Sequence, residues 1–143
     1  MAKASRINFF YEVSGFTLKD RGKLKAFLEK TFRKEGRPLE SLNYIFVSDK
    51  RLLAINRDYL QHDYYTDIIS FDLSAGDDLV GEIYISIDRV RENARALGHS
   101  FKSELHRVIF HGALHLCGYK DKSLRDIKLM RKKEEESLSA YFA

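Results

Sequence analysis

The sequence predicts an α/β (α+β) fold, a small mixed four-stranded sheet with helices packed around it in one domain spanning residues 1–143. Three observations predict it. A strand-like run followed by a helix-like run occurs twice in the first sixty residues. Two further strand-like runs flank the turn-forming segment Ser74-Ala75-Gly76-Asp77-Asp78. Neither a low-complexity linker, nor an internal repeat, nor a break in composition divides the chain.

The elements follow in order. Ile7 to Val13 is rich in β-branched and aromatic residues and reads as a strand. Thr17 and Asp20 resemble a capping box, opening a helix whose apolar stripe is Leu24, Phe27, Leu28 and Phe32. Pro38, the one proline, shares a short turn with Gly36. Leu42 to Val47 suits a buried strand, and Ser48 or Asp49 caps a helix with Leu52, Ile55 and Tyr59 on its inner face. Asp67 to Leu73 and Leu79 to Ile87 form the expected antiparallel hairpin. Asp88 caps a helix that stops at Gly98, and Ser100 opens the next, with Phe101, Leu105, Val108, Ile109, Gly112 and Leu116 on one stripe. Ser123 and Asp126 form another capping box before a polar helix ending near Tyr141, in which Arg131 to Glu136 reads as a solvated face.

Composition narrows the class. With 44% hydrophobic and 32% charged residues the chain is globular rather than disordered. Met1 to Arg6 lacks the pattern of a secretory leader, and no stretch approaches the roughly 18 apolar residues of a membrane span, so a cytoplasmic protein with no membrane association is expected. Cys117, the only cysteine, excludes an internal disulfide and reads as a small core residue. The formal charge of +4 mildly favours an anionic partner such as nucleic acid.

Chemistry concentrates in His111-Gly112-Ala113-Leu114-His115-Leu116-Cys117-Gly118-Tyr119-Lys120-Asp121. Residues four apart on a helix share a face, roughly 6 Å apart along the axis, so His111 and His115 are spaced to grip one ion. Gly118 favours a left-handed turn that brings Asp121 toward the same ion. Three protein ligands leave a coordination position open, as catalytic zinc sites do, whereas structural sites commonly use four. The spacing is that of a zinc protease motif, but Gly112 stands where the protease has its glutamate base. The proton therefore goes elsewhere, with Asp121, Glu82 or solvent as candidates. Lys120, Lys122 and Arg125 flank the motif and are candidates for phosphate contact, and Tyr64 and Tyr65 for stacking on unpaired bases. Arg89, Arg91 and Arg95 read as a solvated helix face. His106 reads as a polar surface residue, and His62 and His99 as loop or cap residues outside any metal site.

With these residues in place, the chain resembles the YbeY family of bacterial metal-dependent endoribonucleases, whose signature runs His-Gly-x-Leu-His-Leu-x-Gly-Tyr-Asp-His. Two more family segments are matched, one by Asn56, Tyr59, Thr66, Asp67, Ser70 and Phe71, the other by Gly81-Glu82-Ile83-Tyr84-Ile85-Ser86. The resemblance implies a zinc-dependent endoribonuclease favouring single strands, with one Zn2+ per chain on His111, His115 and Asp121. It also implies action in ribosomal RNA maturation and ribosome quality control, with ribosomal RNA and the small ribosomal subunit as partners. Two positions depart from the pattern. Asp121 replaces the usual third histidine, and its charge would leave a bound water less acidified. Leu60 replaces an arginine associated with RNA contact, and Arg57, one helical turn away, is the candidate to substitute for it. The competing readings are a non-catalytic ribosome-assembly factor that binds RNA around a structural metal, and a zinc metalloprotease.

Overall fold

The computed structural model describes residues 6–143. Met1 to Ser5, most of the stretch read for a leader, lie outside the described residues. Among the described residues four strands and five helices follow in the order β1 (Ile7–Tyr11), α1 (Arg21–Lys34), β2 (Leu39–Val47), α2 (Asp49–Leu60), β3 (Ile68–Asp72), β4 (Leu79–Ser86), α3 (Ile87–Leu97), α4 (Phe101–Leu116) and α5 (Leu124–Tyr141). The sheet order is β1-β2-β4-β3. β1 and β2 pair in parallel, as do β2 and β4, while β3 closes the edge antiparallel to β4 with Ser70 opposite Ile83. The expected hairpin and mixed pairing are both present.

The near-continuous apolar run in β2 reflects burial on both faces, as expected of a central parallel strand. Leu42, Tyr44 and Phe46 join the main core with residues of α1, α3, α4 and α5. Ile45 and Val47 point the other way, onto Leu52 and Ile55 of α2 and Ile69 of β3. Helix α4 crosses the main-core face of the sheet, and the buried Tyr44 hydroxyl donates to its Ile109 carbonyl at 2.9 Å. That bond pins the helix carrying both motif histidines to the central strand.

Serine side chains cap four helices. Ser48, Ser86, Ser100 and Ser123 accept from the backbone N–H groups of Arg51, Arg89, Ser103 and Asp126 at 3.0–3.1 Å. Each such cap contributes about 1 kcal/mol. Several local expectations are corrected. Asp20 precedes α1 in a left-handed conformation at φ 55°, and its side chain makes no capping bond. The cap of α3 is Ser86 rather than Asp88, whose carboxylate instead accepts from the Asp49 N–H at 3.1 Å. Tyr59 is exposed, because the apolar face of α2 is completed by Leu52, Leu53 and Ile55. His106 is buried against Phe110, Tyr141 and Phe142 rather than on the surface, its Nδ1–H donating to the Lys102 carbonyl at 2.7 Å.

Candidate active site

The end of α4 shows how the sequence builds the site. After Leu116 the chain closes in a Schellman arrangement: the Tyr119 N–H reaches the Leu114 carbonyl at 3.1 Å, and the Gly118 N–H reaches the His115 carbonyl at 3.0 Å. Gly118 sits at φ 108°, a conformation that glycine adopts at little cost. The turn swings the Tyr119 carbonyl back over the helix, where His115 Nδ1 meets it at 3.0 Å. A carbonyl only accepts, so this nitrogen carries the proton and the lone pair of neutral His115 lies on Nε2.

One turn earlier, His111 Nδ1 meets Glu134 Oε2 of α5 at 2.7 Å. Burial alone would raise the Glu134 carboxyl, but the His111 hydrogen bond and the Arg107 charge outweigh it and hold it below the usual range. An ionised carboxylate accepts, so neutral His111 likewise has its lone pair on Nε2. The two rings are nearly parallel, 7° apart with centroids 6.3 Å apart. Asp121 follows the turn, its Oδ2 3.5 Å from His111 Nε2.

These groups open into a cleft of about 520 Å³. Arg107, Val108, His111, His115, Asp121 and Lys122 form one wall; Asn56, Leu60, His62, Tyr64 and the run Thr66 to Ser70 form the other. Asn56 is buried and shapes the far wall by donating from Nδ2 to the Tyr64 carbonyl at 2.9 Å. His62 stacks on Tyr64 with centroids 5.1 Å apart. Burial pushes the Asp67 carboxyl up, against the Arg107 and His111 charges that pull it down.

Of the residues singled out in the sequence, His111, His115, Asp121 and Lys122 come together at this cleft. Arg57 is ion-paired with Asp63, and it is Leu60 that lines the wall. Lys120 and Arg125 are exposed and outside the lining. Ile83 of β4 packs toward α4, so strand alternation sends its neighbour Glu82 to the opposite face of the sheet, away from the histidines. That removes Glu82 as a proton acceptor. Arg89 is held by Asp49 at 2.7 Å and lies over the Tyr65 ring, while Arg91 lies over Phe101. Cys117 packs on the core, with burial, then the Glu35 charge, pushing its thiol up to about 12.

Sequence reasoning missed Arg107, Glu104, Glu134 and the exposure of Asp67 to the cleft. Glu134 lies inside the run taken for a solvated face, yet it is only 2% exposed. Its signal was the helical phase shared with Met130 and Tyr141, the other buried positions of α5.

The donor set can be weighed for a metal. Two imidazoles with free lone pairs on Nε2 and a nearby carboxylate are ligand types that suit zinc, and the Nδ1 contacts are the outer hydrogen bonds that ligating histidines make. In donor chemistry the residues fit the ion. Among the described residues, no three His, Cys, Asp or Glu side chains stand grouped as a ready-made cage.

Fold and site together define a small α/β protein with a histidine-pair cleft at the C-terminal end of its central helix. The family model described as endoribonuclease YbeY matches residues 16–142. The chain belongs to this family. It is 49% identical to the endoribonuclease YbeY of Cytophaga hutchinsonii over 138 residues, covering 96% of both chains. It is 47% identical to that of Flavobacterium psychrophilum, covering 94% of this chain and 96% of the relative. A solution structure of a Thermotoga maritima protein superposes with a TM-score of 0.69 at 32% identity, covering 95% of this chain and 89% of that one.

Proposed function

We propose that this chain is a metal-dependent endoribonuclease that cleaves unpaired RNA, with one Zn2+ held by His111, His115 and Asp121. Its substrate is ribosomal RNA, cut during maturation and quality control of the small ribosomal subunit in the cytoplasm. Family membership supports RNA cleavage, since the relatives carry the name endoribonuclease. The observation that carries the metal reading is the pair of imidazoles with both Nδ1 atoms engaged, which leaves the Nε2 lone pair of each neutral ring for a metal.

Zinc in such a site polarises a phosphoryl oxygen or acidifies a water. The chain's own residues supply the rest. Lys122 meets the phosphate backbone at the rim of the cleft; the charge of Arg107 is already balanced by two glutamates and adds little there. Asp67, its carboxyl pushed up by burial and lining the cleft, receives the proton that no glutamate at position 112 is present to take. Tyr64, stacked on His62 across from the histidines, offers an aromatic surface to an unpaired base.

Incubation of the zinc-loaded protein with unpaired RNA, structured RNA and casein tests the reading. Cleavage of the unpaired RNA with intact casein is expected, together with loss of turnover in His115→Ala. Cleaved casein with intact RNA would make the protein a protease. Wild-type turnover no greater than that of His115→Ala would leave a binding factor with a structural metal.

A further inference from the structure

Behind the histidines lies a buried ionic chain that the family signature does not include. Glu104, fully buried in α4, accepts from Arg107 Nε at 2.9 Å and from Nη2 at 2.5 Å. The same guanidinium donates from Nη1 to Glu134 Oε1 at 3.0 Å, and the other Glu134 oxygen receives the His111 Nδ1–H at 2.7 Å. Glu134 thus has each oxygen committed to a different partner.

We infer that Glu134 is a positioning residue for the site: it fixes the His111 tautomer and ring so that Nε2 faces the cleft, and Arg107, backed by Glu104, holds Glu134 in place.

Three considerations carry this. Buried ion pairs of this kind are poor sources of stability, because desolvation offsets the attraction and apolar residues of like volume serve as well. A stabilising role therefore does not account for three charged side chains at the junction of α4 and α5. The two histidines also differ in their backing. His115 leans on a backbone carbonyl supplied by its own helix end, whereas His111 leans on a carboxylate from a helix 23 residues away in sequence. A carboxylate partner makes an imidazole a stronger ligand and locks its orientation. Finally, two carboxylates around one guanidinium leave an excess negative charge, and the oxygen of Glu134 that Arg107 does not occupy is the one facing His111.

The functional consequence rests on the metal site proposed above, but the tautomer does not. The test begins with imidazole 15N NMR on the metal-free protein at about pH 8, above the reference histidine value of about 6.5. Wild type should show His111 protonated on Nδ1. In Glu134→Gln, which keeps the side-chain volume, His111 should become a tautomer mixture while His115 stays on Nδ1 as the internal control. Zinc affinity of the same variant should fall about 10- to 100-fold. Arg107→Lys, which keeps the charge but loses the fork, should shift His111 in the same direction by less. An unchanged His111 tautomer in a folded Glu134→Gln protein overturns the inference, as does a zinc affinity within about twofold of a zinc-binding wild type. A wild type that binds no zinc would defeat the metal reading alone, with the tautomer result still deciding the role of Glu134.

Discussion

Gly112 is packed so closely beneath Ile68 that a Cβ added to it would stand 2.9 Å from the Ile68 Cδ1, with Ile83 Cδ1 at 3.0 Å. The position that holds the general base in zinc proteases therefore points into the sheet of this protein, not into the cleft. The glycine is a packing requirement, set by how closely α4 lies on β3 and β4.

Gly112→Ala should destabilise the protein by about 1–3 kcal/mol through overpacking. Urea unfolding checks this; an unchanged midpoint would mean that the isoleucines move aside freely.

Gly118→Ala should cost about 1–2 kcal/mol by a different route. The space around Gly118 is open, so the penalty comes from the left-handed backbone alone. Because this turn delivers the Tyr119 carbonyl to His115, the variant should also lose zinc retention. Thermal unfolding and elemental analysis read the two effects separately, and a destabilised variant with full zinc content would uncouple the turn from the site.

Stability should fall on mild acidification because of His106. Burial holds this imidazole below the usual histidine value, and Lys102 and Lys23 push the same way, while its bond to the Lys102 carbonyl and the Asp20 charge oppose them. With the folded value below the unfolded one, near 6.5, the unfolded chain binds more protons between the two. The stabilisation is complete above about pH 6.5 and is lost as pH falls through the folded value. The Tm of His106→Phe, which keeps an aromatic ring against Tyr141, should therefore depend less on pH between about 7.5 and 5 than that of wild type. Parallel Tm curves would assign the acid sensitivity to other groups.

Asp121→Ala should retain less zinc than wild type on purification, since one of three proposed ligands is lost. Equal zinc in both would remove Asp121 from the site.

The sequence was most legible where a local rule decided the structure. The β3–β4 hairpin around the turn formers of Ser74 to Asp78, the Ser48, Ser100 and Ser123 caps and the Gly118 turn all depend on near neighbours, and each appears where expected, whereas the cap of α3 falls to Ser86 instead of Asp88. The failures were long-range. Glu134 looks like one charge among many until α5 docks on α4 and brings it to His111. His106 looks solvated until Tyr141 and Phe142 cover it. Arg57 has the right spacing to replace the missing arginine at position 60, but Asp63 lies within its reach and pairs with it.

The central claim is that RNA cleavage depends on zinc at the His111–His115 pair. The most direct measurement follows cleavage of unpaired RNA by metal-free protein as zinc is added back. The account predicts activity that rises with zinc and levels off at about one ion per chain. Cleavage that is equally fast without zinc, or absent at full occupancy, would contradict it.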